Sequence, residues 1–282
     1  MDKRILFPTD FSQNSFNAIR YGLKLYEDQY CEFYFLNAFH VNMYTLDNMM
    51  VPEPGDSTYD AAKKQSEEGF VKLKALLNLQ EDNPKHTYHT ISTFNYLLEA
   101  VRDTIAKKDI DLVMMGTKGL TGSESKAFGT NTVNIMEKIV ECPVMAVPEQ
   151  FGYAPPKQIV FPTDYKANFK RRELKYLLEI AKLHDSQIHV VHVERESKLS
   201  KKQENNKELL EDILHGVDFE NHILPKGKVQ EAIFSFIENR KCDMIVFVNK
   251  KHWFFGSILA NPLVKELGYD ATIPILELND NP

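Results

Sequence analysis

Residues 4–11, RILFPTDF, return at 158–165 as QIVFPTDY. Ile5, Phe7, Pro8, Thr9 and Asp10 recur 154 positions later as Ile159, Phe161, Pro162, Thr163 and Asp164. A second echo, DLVMMG at 111–116 and DMIVFV at 243–248, is offset by 132. A 282-residue chain with two such echoes is a duplication of a unit of about 141 residues, an ordinary size for a self-sufficient α/β domain. The fall in offset from 154 to 132 means that the second copy has lost 22 residues between the echoes, which we expect from the Met-, Pro- and Asp-rich stretch Asn42 to Asp60.

Working outward from the FPTD segments, each copy alternates strand and helix signals. In the first, Arg4–Thr9 is an apolar run that stops at a turn. Ser12–Glu27 has helical spacing, with Ala18, Tyr21 and Leu25 on one face and Ser12 as N-cap. Strands are expected at Glu32–Ala38, His86–Ser92, Leu112–Met115 and Val144–Val147, with helices at Tyr59–Leu79, Asn95–Lys107 and Asn131–Val140. The second copy repeats the order, with strands at 158–163, 187–193, 218–224, 243–248 and 273–278. Its helices are expected at 168–184, 200–214, 228–240 and 259–267. Strands separated by helices form right-handed βαβ units around a parallel sheet. The near-continuous apolar strands FYFL, LVMM and VMAV suit a sheet covered on both faces. The expected organisation is two α/β domains, 1–148 and 158–282, each a five-stranded parallel-type sheet. The segment EQFGYAPPK at 149–157 links them, stiffened by Pro155-Pro156.

Composition narrows the function. Hydrophobic residues make up 43% and charged residues 26%, which excludes collagen-like and wholly disordered chains. No apolar run reaches the roughly 20 residues of a membrane span, and MDKRILFPTDFS lacks the features of a signal peptide. Cys31, Cys142 and Cys242 are too far apart for a metal knuckle or a disulfide framework, so a cytoplasmic location is expected. The first 150 residues carry 15 basic and 21 acidic side chains and the remainder 19 of each. Neither half has the basic excess of a nucleic-acid binder, and an anionic ligand would have to be held by local geometry.

Open parallel sheets bind ligands beyond the carboxyl ends of their strands, where the strand order reverses. Asp10, with Pro8 and Thr9, lies at the end of the first strand; Ala38 and Phe39 end the second; Met115 and Gly116 end the fourth. From Gly116 the chain reads GTKGLTGSESKAFGTN, a spacing of G-x2-G-x9-G-T that sets Gly116, Gly119, Gly129 and Thr130 ahead of a helix. Glycines allow close backbone approach, and a helix N-terminus offers unpaired N–H groups to a phosphate. Thr130 adds a hydroxyl, and Lys118 and Lys126 add charge. For Asp10 a second reading is a turn former, which the persistence of Asp164 in the other copy strengthens.

This arrangement resembles the universal stress protein family, whose nucleotide-binding members carry G-x2-G-x9-G-[S/T] after the fourth strand. The FPTDFS start and the CPV run at 142–144 match further hallmarks, and the resemblance spans the chain as two copies in tandem. It implies flavodoxin-like, Rossmann-like domains that bind ATP, with adenine near the first two strand ends and phosphates on the glycine loop. Carried over, Asp10 would contact the nucleoside, Ala38 would lie against adenine, and Gly116 and Gly119 would pass near the ribose and first phosphates. Gly129 and Thr130, helped by Asn131, would hold the outer phosphates. Mg or Mn would ride on phosphate oxygens and water rather than in a protein cage. The family also pairs domains through their last strands, which implies a homodimer or an intramolecular pseudo-dimer through Val144–Val147 and Ile275–Leu278.

The second copy departs from this pattern. After its fourth strand it reads VNKKHWFFGSILANP, with Val248 at the position of Gly116 and only Gly256-Ser257 left of the loop. We expect it to be degenerate for nucleotide. The Met43, Met49, Met50 and Tyr44 cluster and the Trp253–Phe255 run read as packing residues or as partner surfaces. The nine histidines show no metal-ligand spacing, and Cys142 and Cys242 read as small buried hydrophobes. No GxSxG elbow, Walker A lysine or paired-carboxylate signature supports catalysis. The expectation is a cytoplasmic stress-response protein that binds ATP in its first domain as a regulator or adaptor. The alternatives are a nucleotide-free interaction scaffold and a weak ATPase.

Overall fold

In the computed structural model, which describes residues 2–40, 53–79, 81–117, 129–194, 198–249 and 272–279, the first FPTD segment closes a buried strand, β1 (Lys3–Pro8). Ile5, Leu6 and Phe7 are wholly buried, and Phe7 stacks obliquely on Phe33 and Phe35 at 5.9 and 5.8 Å. The turn that follows is built by the two polar residues of the motif. Thr9 Oγ1 accepts the Phe11 N–H at 3.0 Å and Asp10 Oδ1 accepts the Ser12 N–H at 3.0 Å. Phe11 is thereby held at φ 62°, a left-handed conformation uncommon for a bulky side chain. Ser12 then caps α1 (Gln13–Leu25) by accepting the Ser15 N–H, as its position in the sequence predicts.

The chain divides into two units, Met1–Cys142 with Ala146–Glu149 and Pro143–Met145 with Gln150–Pro282. The first continues through β2 (Cys31–Phe39), α2 (Ser57–Leu77), β3 (His86–Phe94), α3 (Leu97–Lys108), β4 (Leu112–Gly116), α4 (Thr130–Lys138) and β5 (Val144–Val147). The strand order is β3-β2-β1-β4-β5, with β1 parallel to both β2 and β4. Every residue of β4 is buried, so both faces of this strand are covered. The strand order reverses between β1 and β4, because the chain builds outward from β1 to β3 and then returns to the other side of β1.

The second unit runs β6 (Gln158–Pro162), α5 (Lys175–His184), β7 (Gln187–Val193), α6 (Lys201–Leu214), β8 (Asp218–Leu224), α7 (Val229–Arg240), β9 (Met244–Asn249) and β10 (Ile275–Asn279). Its order, β10-β9-β6-β7-β8, is the first unit's order repeated, again with parallel pairs. The Asp turn recurs too. Thr163 Oγ1 accepts the Tyr165 N–H at 3.0 Å, Asp164 Oδ1 accepts the Lys166 N–H at 2.7 Å, and Tyr165 sits at φ 58°.

Two expectations need correction. The helix expected from residue 168 starts at Lys175, because Phe169 turns inward onto Phe161 at 5.4 Å and residues 171–174 form turns instead. The shortening of the second copy is not confined to the counterpart of Asn42–Asp60. The helix after the second strand drops from 21 to 14 residues, and the connection from it to the third strand shrinks from 78–85 to 215–217. The helix expected at 259–267 lies outside the described residues. No helix among the described residues is long and apolar enough to cross a membrane.

A candidate ligand crevice in the first unit

The carboxyl ends of β1, β2 and β4 bring together most of the residues singled out from the sequence. Thr9 Oγ1 lies 3.0 Å from Ser15 Oγ, and its main-chain carbonyl accepts a 2.7 Å bond from Asn37 Nδ2, which ties the ends of β1 and β2. Pro8, Thr9 and Met115 are buried, while Asp10, Ala38 and Phe39 are half-buried at the strand ends. Phe39 packs with Tyr59 at 5.8 Å and Phe94 at 5.7 Å, an aromatic wall contributed by β2, α2 and β3. Asn37, Tyr59 and Phe94 were not picked out by sequence reasoning. A polar Asn within FYFLNAF was the available signal for the first, and nothing local pointed to the other two.

On the β4 side, Thr117 is buried, its N–H bonds to Val147 O at 3.1 Å, and its carbonyl accepts the Gly129 N–H at 2.6 Å. Thr132 Oγ1 donates to Gly116 O at 2.9 Å. These bonds pin the start of α4 to the end of β4. Gly129 is the N-cap, with φ −71° and ψ 154°, and Thr130 and Asn131 of the first turn are exposed. The N–H groups of a first turn have no partner within their helix, so this end presents donors and a positive dipole end to solvent. Gly119, Lys118 and Lys126 lie outside the described residues.

Gly116 has a reason to be glycine that the motif did not disclose. A Cβ built there would stand 2.5 Å from Asn14 Oδ1, 2.7 Å from Asn14 Cγ and 3.0 Å from the Asn14 carbonyl carbon. Gly116 therefore lets the first turn of α1 close onto β4, before any ligand is considered.

The equivalent place in the second unit is built differently. Strand register puts Val248 where Gly116 stands, His192 where Asn37 stands and Val193 where Ala38 stands. His192 keeps the Asn37 role, its Nδ1 lying 3.0 Å from Thr163 O. Val248 is buried in β9, and α5 starts only at Lys175. In both units the helix after the second strand packs on the turn after the first: Phe11 meets Phe70 and Gly69 of α2, whereas the turn after β6 is hydrogen-bonded to α6. Gln203 Nε2 donates to Asp164 O at 2.8 Å, and the buried Asn206 donates to Tyr165 O at 2.8 Å and Lys166 O at 3.2 Å. Gln203 belongs to the capping box that starts α6 at Ser200. Val248 is described, whereas the Trp253–Phe255 run, Gly256-Ser257 and the Met43–Met50 cluster lie outside the described residues.

Cys31, Cys142 and Cys242 are buried and form no disulfide, and burial pushes the Cys142 and Cys242 thiols up to about 12. Neither is a thiolate at neutral pH, so neither is an activated nucleophile.

Two parallel α/β units of the same strand order, 3-2-1-4-5, the first with a glycine-capped helix start at its strand-order reversal, narrow the class of protein. The universal stress protein family model matches residues 1–148, just over half the chain, and the chain belongs to that family. It is similar to the universal stress protein MJ0531 of Methanocaldococcus jannaschii, 25% identical over 154 residues that cover 51% of this chain and 81% of the relative. A universal stress protein from Archaeoglobus fulgidus superposes with a TM-score of 0.70 at 16% identity, covering 98% of this chain and 96% of that one. The cytoplasmic domain of a prokaryotic cation chloride cotransporter reaches 0.51 at 10% identity, covering 99% and 96%. At such identities the likeness is one of fold, and a fold shared with a cotransporter domain leaves function to be argued from the site.

Proposed function

We propose that the first unit binds ATP and that the chain acts as a nucleotide-dependent regulator or adaptor in a cytoplasmic stress response, with the second unit supporting rather than sharing the site. The observation that carries this reading is the α4 N-terminus, pinned by Gly129 and Thr132 to the end of β4, the strand next to β1 at the strand-order reversal. Three phosphates suit a row of outward N–H donors with the Thr130 hydroxyl among them, and the acidic balance of this half makes such local donors necessary. The aromatic wall of Phe39, Tyr59 and Phe94, with the small Ala38 before it, offers an apolar seat for a base near the end of β2. Gly116 and Asp10 would border the ribose. Gly119 would complete the phosphate loop, and Mg or Mn would be carried by the phosphates. Three buried cysteines without a disulfide fit a reducing compartment.

Thr130→Pro tests this reading with little cost to the fold. Proline is favoured at the first helical position, and Gly129 already holds the extended conformation required before proline. The variant removes one N–H and one hydroxyl at the phosphate end. Hydrogen bonds to charged groups are worth about 1.5–3 kcal/mol, so ATP affinity should fall by about 10- to 100-fold while the melting temperature holds. Equilibrium dialysis with labelled ATP should give about one site per chain for the unmodified protein. Unchanged affinity in Thr130→Pro would sink the phosphate placement, and two sites per chain would sink the assignment to one unit.

A further inference from the structure

The second unit holds a polar cluster that the crevice does not use. His189 of β7 and Glu220 of β8 are register partners, and His222 lies two residues further along β8 on the same side as Glu220. His189 Nδ1 is 2.9 Å from His222 Nε2, His222 Nε2 is 3.4 Å from Glu220 Oε2, and His189 Nδ1 is 4.0 Å from the same oxygen. Three potential ligand atoms thus converge on one point. His189 is wholly buried, and the Phe236 ring of α7 covers both imidazoles at 5.6 and 4.8 Å. Glu220 is half exposed, which leaves a path from solvent along β8, the edge strand of this sheet.

The geometry points to a divalent transition-metal site of the zinc class, with His189 Nδ1, His222 Nε2 and a Glu220 carboxylate oxygen as ligands and water in the fourth position. Zinc bonds of about 2.0–2.1 Å to nitrogen and oxygen in a tetrahedron set neighbouring ligand atoms roughly 3.3 Å apart. The three separations here straddle that value, so side-chain rotation alone would complete the geometry. Two imidazoles and one carboxylate form a donor set suited to zinc and cobalt and too nitrogen-rich for magnesium or calcium.

A supporting contact sets the tautomer. His189 Nε2 lies 2.6 Å from Gln158 Oε1 of β6, so Nε2 carries the proton and donates it, and the Nδ1 lone pair faces His222. In the metal-free protein His222 Nε2–H therefore donates to His189 Nδ1. Metal binding moves that proton to His222 Nδ1 and frees the Nε2 lone pair, with no net change in charge on the ring. The expected structural consequence is a clamp between β7 and the edge strand β8.

The test uses the full chain, stripped with chelator and kept free of nucleotide. Zinc titrated by calorimetry should bind with one tight equivalent per chain, and cobalt should give the visible absorption of a tetrahedral site. His222→Gln and Glu220→Gln, both at solvent-accessible positions, should abolish the cobalt band. Gln158→Met, which leaves all three ligands in place, should weaken zinc by about 10- to 100-fold. Thermal melts of these variants without metal should match the parent, and ATP binding in the first unit should be unaffected. A parent chain that binds no more zinc or cobalt than His222→Gln would overturn the proposal and leave a neutral histidine pair in the core. A full cobalt band in both glutamine variants would equally overturn it, by placing the metal elsewhere.

Discussion

Replacing Gly116 by valine is expected to destabilise the first unit by about 1–3 kcal/mol, the usual cost of forcing extra carbons into a packed core. The nearest atoms are Asn14 side-chain and main-chain atoms at 2.5–3.0 Å, and the carbonyl carbon cannot swing aside as a side chain can. Asn14→Ala should therefore relieve only part of the loss in a Gly116→Ala background. Urea unfolding followed by far-ultraviolet circular dichroism, with hydrogen exchange read on peptides covering 3–39 and 112–117, checks both statements. An unshifted midpoint in Gly116→Val would show that α1 does not close onto β4 as described. For this reason a loss of ATP binding in Gly116→Val would say little about contact with the ligand, whereas Thr130→Pro isolates the phosphate donors.

The largest single effect is expected at Phe7, where truncation to alanine should cost about 3–5 kcal/mol. Phe7 is wholly buried at the middle of the first sheet, between Phe33 and Phe35 on β2 and Gly22 on α1. A Cβ at Gly22 would come within 2.5 Å of Phe7 Cζ, so the small helical position and the large strand position are complementary. Gly22→Ala alone should thus be costly, and in a Phe7→Leu background much cheaper, giving a coupling of about 0.5–3 kcal/mol in a double-mutant cycle. Strict additivity would mean that the helix has room to shift. The single tryptophan, Trp253, belongs to the second half of the chain, so its fluorescence is the wrong probe for this unit.

The alternation of strands and helices was readable because apolar runs such as FYFL and LVMM are continuous and bounded by turn residues. Strand limits came out within about two residues, the normal uncertainty of such boundaries. The helix expected from residue 168 misled because NFKRRELK has helical composition, while the position of Phe169 over Phe161 is a tertiary fact. The candidate crevice was read from local signals of a similar kind, glycine spacing and a helix start, of which the structure describes the start of α4 at Gly129. The role of Gly116 was not, since its neighbour Asn14 lies about 100 residues earlier in the chain. Asp10 shows both aspects at once. Its Oδ1 bond to the Ser12 N–H recurs at Asp164 and Lys166, so the FPTD motif reports first on how the chain turns.

The amide anchors of α6 also bear on whether the asymmetry between the copies can be undone. Restoring glycine at position 248 would leave Gln203 and Asn206 still bonded across the turn after β6, and α5 still starting at Lys175. Recreating the arrangement of the first unit requires concerted change on β9, α5 and α6, and each change alone removes a satisfied contact without opening a crevice. The turn after β6 is therefore held by several contacts at once, and residue 248 alone does not decide its form.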